Sequence, residues 1–578
     1  MRSETTRRRR RWWLGGLALA GTWIVACVVL MAGAAADVRA GTAAIRRAQA
    51  GLELADLATG RPVAEVGEAK ARFEQSQRRV TSPVLLPVRL VPVIGRQLES
   101  VVTLVGAATE VSDTVLTTTR EAQRLLERQP ASGPDRVELV QALGALSGDA
   151  GRRVAAVDLG PGIGLFDRLA HERDQFSAEL SRLQERLDQA SAGAAAVAGM
   201  LTGHHRYLVF AANNAEMRAG SGMLLSVGEL EVDDGELRLG EMLAVTNVPV
   251  PKGAVALDGD LADRWGWLAP NVEWRNLMTS PRFDAAAALA ARMWVGAGHR
   301  AVDGVVAIDP VALRSLLRAT GPITVDGRRV GAENVVDLLL HGQYVRFDDR
   351  SDRKEELGQI ARATVDALDA RHPSLPTLAR SLHEAASGRH LMVWSSEPVQ
   401  QAGWRALGVD GALGPDSLLL SVVNRAANKL DQFLEVSADV SFAPEGGDTE
   451  VTVRVTLRNA TPDGEPRYVA GGNPASGVPA GVYLGILSVN VPGASFGVRV
   501  DGRHDVAVAG ADGPTRVIGF QLRVDQGQTR TEVIRFTLPG GHGAVRVEPS
   551  ARVPGIAWTG PAGPWPDGAA HALPFAAT

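Results

Sequence analysis

The stretch VDGVVAIDPVALRSLLRA, residues 302–319, decides the fold class of the central part of this chain. Val302–Ile308 is a short apolar run typical of a buried strand, and Pro310 at a first helical position predicts a helix over Val311–Ala319. Asp309 stands just before that proline, where a helix N-cap is favoured over a metal ligand. A strand that leads directly into a helix indicates an α/β arrangement.

Alternating strands and helices extend this pattern over residues 204–430. The apolar runs, a hairpin turn at Asp233–Gly235 and the helical periodicities predict these elements: Tyr207–Ala211, Met223–Val232, Glu236–Val245, Phe283–Val295, Ile323–Val325, Ala332–Leu340, Arg353–Ala370 and Leu391–Trp394. Their order predicts an α/β/α sandwich around a mixed sheet, within an α+β multidomain chain.

Helical signals stop beyond Leu430. Glu450–Leu457 alternates strictly between apolar and polar residues, and similar runs recur, separated by glycine and proline turns. This texture predicts an antiparallel β-sandwich over residues 431–560. Residues 561–578 are rich in Gly, Pro and Ala, and we expect a flexible tail there.

Residues 37–203 have the composition of a helical spacer or bundle. The apolar positions of Asp167–Ala190 recur three and four residues apart, which predicts an amphipathic helix. That helix would either pack on its own domain or form a coiled-coil seam through which two copies pair as a homo-oligomer. Three prolines, Pro83, Pro87 and Pro92, break the chain ahead of another apolar helix face.

An apolar leader determines the expected compartment. Arg7–Arg11 run into the uncharged stretch Trp12–Ala36, whose roughly 25 residues make a helix of about 37 Å, enough to cross a hydrocarbon core of about 30 Å. Residues 1–11 would be a cytoplasmic basic tail, residues 12–36 a single transmembrane helix, and the remainder extracytoplasmic. A cleaved signal peptide is the alternative, because Ala34–Ala36 are small enough for a cleavage site.

Composition excludes several classes of function. The net charge is −4, and no basic patch occurs beyond the leader, so nucleic-acid binding is not expected. Cys27 is the only cysteine, which excludes disulfides within the chain and cysteine-ligated metal sites. Four lysines among many arginines, with abundant Ala, Gly and Val, suggest a GC-rich bacterial genome. No nucleophile elbow, zinc-protease or phosphate-loop motif is present, so we assign no catalytic residue.

Two segments have residues suited to an anionic ligand. Gln343–Arg353 interleaves three arginines with three aspartates, and guanidinium groups bind phosphate while carboxylates hold a divalent metal: Arg346, Arg350, Arg353, Asp348, Asp349 and Asp352. The alternative is a solvated, self-neutralising run. Asn213, Asn214, Glu216 and Arg218 follow the end of a strand, where α/β sheets place ligands, or form a capped turn with a buried Glu216–Arg218 pair.

Several segments resemble the bacterial DUF4012 family of membrane-anchored proteins of uncharacterised function. The similar segments are Leu90–Gly95, Asn213–Arg218, Val302–Pro310, Gly321–Pro322, Gln343–Phe347, Asn424 and Lys429–Asp431. This resemblance extends over nearly the whole part of the chain that follows the leader.

Residues 303–368 also resemble the LytR–CpsA–Psr phosphotransferases, which share an α/β/α fold and move glycopolymers from polyprenyl-pyrophosphate carriers onto peptidoglycan. The resemblance implies that Arg218, Ser221, Arg346, Arg350 and Arg353 hold phosphate. It also implies a divalent metal, Mg or Mn, at Asp349 or Asp352.

The chain departs from that second family at three elements. The Asp of its Arg-Ser-Asp-Thr element is replaced by Ala219–Gly222, and Val248–Lys252 lacks the Arg-Asp of another. Its downstream Gln has no clear equivalent, because Gln359 lies too far along the chain. We therefore expect an envelope protein that binds a phosphate-bearing ligand such as a polyprenyl-linked glycan. An active phosphotransferase or pyrophosphatase, or a purely structural scaffold, are the alternatives.

Overall fold

The computed structural model describes residues 3–50, 61–128, 130, 132–346, 350–472, 477–503 and 505–575, with backbone alone at 3–20, 49–50 and 350–355. Two compact units are present. One contains residues up to 129 together with 139–194, and the other contains 130–138 together with 195–578.

The first unit is built from long helices: α1 (Ser3–Ala50), α2 (Arg61–Val80), α3 (Pro92–Leu126), α4 (Gly133–Ala155) and α5 (Asp167–Leu201), the last two continuing into the second unit. Small residues on α1 allow close approach of its neighbours. Ala34 packs with Val80 and Val105, and Ala44 packs with Ala69 and Phe73. These apolar contacts join α1, α2 and α3.

Among the described residues, Gly21–Ala48 of α1 is the segment long and apolar enough to cross a membrane. The apolar N-terminal helix predicted from the sequence is thus confirmed, while a signal sequence satisfies the same criterion.

The second unit begins with a mixed sheet. Its strands are β1 (His204–Met217), β2 (Gly222–Asp233), β3 (Glu236–Leu239), β4 (Leu243–Ala244), β5 (Gly304–Ile308) and, after the small hairpin β6 (Ile323–Val325) and β7 (Arg328–Val330), β8 (Leu391–Ser395). The order is β3-β2-β1-β5-β8 with β4 beside β2, and β1 and β5 run parallel while the other pairs are antiparallel.

Helices cover both faces of this sheet. They are α6 (Gly259–Trp265), α7 (Phe283–Gly296), α8 (Pro310–Thr320), α9 (Arg350–Arg371), α10 (Leu375–Ser387) and α11 (Pro398–Ala406). Leu208 and Phe210 of β1 share a core with α7, whereas Tyr207 and Val209, on the other face, share one with α8 and α9. The helix predicted over Ala332–Leu340 is replaced by a helical turn at Val335–Asp337, a π-helical turn at Leu338–Gly342 and a short helix at Gln343–Arg346.

The rest of the chain forms two six-stranded sheets. Their strands are β9 (Ser417–Asn424), β10 (Leu434–Glu445), β11 (Asp448–Asn459), β12 (Tyr483–Pro492), β13 (Phe496–Val500), β14 (Val506–Asp512), β15 (Thr515–Val524), β16 (Thr529–Leu538), β17 (Ala544–Val547), β18 (Ala557–Gly560), β19 (Gly563–Trp565) and β20 (His571–Pro574). The orders are β13-β16-β11-β10-β18-β19 and β14-β15-β12-β9-β17-β20. Because β9 belongs to the second sheet, the sandwich starts before the predicted boundary at residue 431. A mixed α+β chain with several mixed sheets is confirmed. The two sheets of the sandwich are not purely antiparallel, as the sequence predicted, because β18 runs parallel to β10 and β17 parallel to β9.

The C-terminal segment forms two short strands, β19 and β20, whereas its composition predicts a flexible tail. Trp565 of β19 stacks on Trp558 with ring centroids 5.9 Å apart, and buried Leu573 of β20 pairs with Val545. Asp567 between these strands is partly buried, and this desolvation raises its pKa; it accepts bonds from Trp558, Ser550 and the backbone of Ile556. One aromatic contact, one apolar pair and the hydrogen bonds to Asp567 hold a segment whose glycines and prolines predicted a flexible tail.

Candidate functional site

The strand expected to end at Ala211 continues to Met217, so the predicted polar loop is part of β1. Asn213, Asn214, Glu216 and Arg218 are all buried. Bulges in the pairing with β2 allow this extension, since the register shifts after Ala211 and again between Asn213 and Met217. The four side chains consequently face the interior of the second unit.

Glu216 lies between two cations. Its Oε1 accepts a bond from Arg218 Nη2 at 3.4 Å, and its Oε2 contacts Lys429 Nζ. Burial by itself would raise the pKa of Glu216, but Lys429 and Arg218 outweigh it and hold that pKa below the ordinary value. Lys429 Nζ also lies 5.8 Å and 5.3 Å from the ring centroids of Tyr344 and Tyr468, a cation–π geometry.

The guanidinium of Arg218 is fully engaged by protein atoms. Its Nε donates to Arg275 O at 2.9 Å, and its Nη1 donates to Met217 O at 2.9 Å and Asn424 O at 3.1 Å. The remaining nitrogen contacts Glu216 and the sulfur of Met223. Arg218 is therefore held as a structural cation, and the bonds that a phosphate would need are already made.

Asp431 receives four donors and is completely buried. Its Oδ2 accepts from Met217 N at 3.0 Å and Asn424 Nδ2 at 2.8 Å, and its Oδ1 accepts from Tyr483 OH at 2.9 Å and Arg552 Nη1 at 3.0 Å. Burial and the charge of Asp431 raise the pKa of Tyr483 well above its ordinary value, so the phenol stays a donor.

Asp309 caps α8 as the sequence predicts, because its Oδ1 accepts from Val311 N at 2.9 Å and Ala312 N at 3.0 Å. Its other oxygen is shared by three side chains. Asn214 Nδ2 lies 2.9 Å from Oδ2, Ser221 Oγ 3.5 Å and His390 Nδ1 2.6 Å. No hydrogen bond joins Ser221 to His390 in the described structure, so these two residues do not form a nucleophile–base pair.

The C-terminal sandwich covers this edge of the mixed sheet. Open α/β sheets bind ligands at the carboxyl ends of their parallel strands. Here the carboxyl ends of the parallel strands β1 and β5 contact the segment of the chain that starts with β9. Asn214 Nδ2 donates to Ala551 O at 2.7 Å, Arg218 donates to Asn424 O, and Met217 N donates to Asp431. The sandwich thus supplies the hydrogen-bond partners of the polar groups at this edge.

Residues 202–344 match the DUF4012 family, described as a protein of unknown function. A comparison with curated proteins finds no match. The DUF4012 segment starts just before β1 and ends in the short helix at Gln343–Arg346, so it carries Asn214, Glu216 and Asp309. Lys429 and Asp431, which complete the buried network, lie outside it.

The end of the DUF4012 segment leads to the second candidate region. The π-helical turn at Leu338–Gly342 directs Leu339 O toward Asn213, whose Nδ2 donates to it at 2.9 Å. Arg346 follows and is exposed, with Nη2 3.3 Å from both carboxylate oxygens of Glu356. Arg328 Nη1 lies 2.6 Å from Oε1 of the same carboxylate, so two guanidinium groups share one buried negative charge.

The side chains of the other predicted residues in this region lie outside the described part of the structure. Asp349 lies outside the described residues, and Arg350, Asp352 and Arg353 stand in the first turn of α9 with only their backbone described. Within the part of the chain that the structure covers, no group of three or more His, Cys, Asp or Glu side chains is arranged for a metal ion. The Mg or Mn site stays a prediction.

Sequence reasoning missed Arg328, Glu356, His390 and Arg552. Each contacts its partner across a long separation in sequence, so no local spacing marks it. Lys429–Asp431 is one of the segments that carry the family resemblance, although nothing in the sequence pairs Lys429 with Glu216.

Proposed function

We propose that this chain is a membrane-anchored protein of the bacterial cell envelope that binds a phosphate-bearing ligand, such as a polyprenyl-linked glycan, without transferring it. The covered carboxyl edge of the mixed sheet is the observation that supports binding without chemistry. A transferase would need cations directed at an open cleft, whereas Arg218 and its neighbours are bonded to the sandwich.

The ligand site that we propose is the exposed surface around Arg346. Arg346 and Arg328 both contact the carboxylate of Glu356, so two guanidinium groups lie close together next to the start of α9. Both arginine side chains are about one-third exposed, at 35% and 34%. Guanidinium groups are suited to phosphate because their planar N–H donors match its oxygens.

Binding of a polyprenyl pyrophosphate to the purified full-length chain in detergent tests this proposal. We expect saturable binding with no release of inorganic phosphate. Arg346→Ala should weaken binding about 10-fold, because a hydrogen bond to a charged group contributes about 1.5–3 kcal/mol. Arg458→Ala is the matched control, since Arg458 is an exposed arginine paired with exposed Glu435 on the sandwich.

The two alternatives give different results. Release of inorganic phosphate that disappears in Arg346→Ala would establish a pyrophosphatase. Formation of polyprenyl monophosphate from a glycan-bearing carrier in the presence of an acceptor would establish a phosphotransferase of the LytR–CpsA–Psr type. Absence of binding in the wild type would leave the purely structural scaffold. Identification of lipids that purify with the chain would name the polymer carrier independently.

A further inference from the structure

The connection between α2 and α3 forms an apolar projection that we call the proline tip, residues 82–94. It contains a 3₁₀ turn at Pro83–Leu85 and a helical turn at Leu86–Arg89. Leu90 is 84% exposed, and Leu86, Val93 and Ile94 are each more than half exposed. Arg89 is the only charged residue of the tip. So many exposed aliphatic side chains in one projection mark an interaction surface.

The position of the proline tip along α1 is fixed by contacts. Trp23 Nε1 donates to Val84 O at 2.8 Å, and Cys27 Sγ lies 3.8 Å from the same oxygen. Asp37, the first charged residue after Arg11, pairs with Arg79 at 2.8 Å. Trp23 and Cys27 precede Asp37 by 14 and 10 residues. At 1.5 Å per helical residue, the tip therefore contacts α1 about 15–21 Å before Asp37, within the uncharged run of the helix.

A second apolar projection lies at the same end of the first unit. The glycine loop, residues 159–166, joins α4 to α5 and carries no charge. The side-chain amide of Gln97 binds this loop twice. Its Nε2 donates to Gly164 O at 2.9 Å, and its Oε1 accepts from Phe166 N at 3.0 Å. Ile163 is 85% exposed and Phe166 is 58% exposed. Gln97 is only three residues beyond Ile94, so both projections belong to one surface.

We infer that the proline tip and the glycine loop insert into the outer leaflet of the bilayer that α1 spans, giving the chain a second membrane contact beside its anchor. The inference rests on the anchoring part of the proposed function. If the apolar run of α1 crosses the membrane, the medium around exposed Ile24, Val25 and Val28 is lipid. The tip lies alongside these residues and is surrounded by the same medium.

The backbone of the proline tip suits such an environment. Pro83, Pro87 and Pro92 have no N–H to satisfy. Ser82 accepts the next two donors, with Val84 N bonded to its Oγ and Leu85 N to its carbonyl, and Val84 O is used by Trp23. Unsatisfied backbone groups are what excludes irregular structure from the hydrocarbon core, and these bonds remove that cost for Val84 and Leu85.

A groove between α1, the tip and α3 supports a lipid occupant. It encloses about 510 Å³ and is lined by Cys27, Met31, Leu85, Val88, Leu98 and other residues that are apolar apart from Gln97. Such a groove can accept an acyl chain, because its lining offers dispersion contacts and almost no hydrogen-bonding group.

Site-specific fluorescence in vesicles tests the inference. Cys27→Ala removes the only cysteine of the full chain, after which single cysteines replace Leu90, Ile163, Val25 and Glu185 in separate variants carrying an environment-sensitive dye. The vesicles contain phosphatidylethanolamine, phosphatidylglycerol and a nitroxide-labelled phosphatidylcholine. We expect blue-shifted emission and loss of most of the fluorescence to the nitroxide at positions 90, 163 and 25, and neither at exposed Glu185 on α5.

The outcomes separate the inference from the anchor. Quenching at position 25 with water-like emission at 90 and 163 overturns the inference and leaves α1 spanning the bilayer. A water-like signal at position 25 itself overturns the anchor. Dyes at 90 and 163 that are blue-shifted but insensitive to the lipid nitroxide would indicate cover by protein, for example a second copy, and would also overturn the inference.

Discussion

Glu216 is a carboxylate enclosed by Arg218 and Lys429, with the three side chains almost completely buried. Each of these charges has lost its hydration, so each depends on the others for compensation. The sequence left open whether Glu216 and Arg218 form a binding loop or a buried pair. The structure favours the buried pair and adds Lys429, from more than 200 residues away, as its third member.

Glu216→Gln should destabilise the second unit by about 3–5 kcal/mol, because it leaves two buried cations without a counter-charge. Chemical unfolding of the full-length chain, followed by circular dichroism, measures the loss. Glu435→Gln is the matched control, since the exposed Arg458–Glu435 pair contributes only about 0–1 kcal/mol. Equal effects of the two substitutions would contradict the structural role of Glu216.

The wild type and Glu216→Gln should lose stability differently as the pH falls. The pKa of Glu216 is lowered in the folded state, so the unfolded state binds its proton first as the pH falls. The stability advantage of the wild type over Glu216→Gln should be complete above pH 4.5, the ordinary pKa of a glutamate, and should shrink as the pH falls below it. An advantage that grew on acidification would have the wrong sign.

At the scale of elements, β1 and the C-terminal strands depart most from local expectation. β1 runs six residues past Ala211 because its polar residues find partners in the sandwich. β19 and β20 form because Trp565 and Leu573 find buried surfaces on β18 and β17. In both places, contacts with distant strands override the local preference of Asn, Gly and Pro for turns.

Leu573→Ala should lower the free energy of unfolding of the sandwich by about 2–5 kcal/mol, since Leu573 is buried against Val545. Ala572→Ser, at the exposed neighbouring position of β20, should have almost no effect. Thermal denaturation of both variants provides the measurement. If the last strands were a flexible tail, the two substitutions would be indistinguishable.

At the scale of the whole molecule, the proposed function depends on the apolar leader for the compartment and on the second unit for the binding surface. Arg7–Arg11 oppose transfer of the N-terminus across the membrane, since arginine at the bilayer centre costs about 2.5–3.5 kcal/mol. Under the proposed function, the second unit lies outside the cytoplasm, where no ATP pool exists, and presents Arg346 there. A ligand of that site would then be preassembled or carried by lipid.

A periplasmic reporter fused after Phe575 should therefore be active, whereas a reporter that functions only in the cytoplasm should be silent. Neutral substitution of Arg7–Arg11 should lower the active fraction, because it removes the charge that fixes orientation. Intact mass of the purified chain distinguishes a retained anchor from a cleaved signal peptide. A C-terminal reporter active only inside the cell would remove the basis for an envelope ligand.

The sequence by itself determined the apolar leader, the strand–helix alternation of the central region and the alternating strands of the sandwich. These features depend on periodicity, which reports on whether one face of an element is buried. Only the tertiary structure decided what covers each face. Asn214, Arg218 and Asp309 could have lined a ligand site or a domain junction, since both need polar groups at a strand end. Contacts with Ala551, Asn424 and His390, none of which is local, decided for the junction.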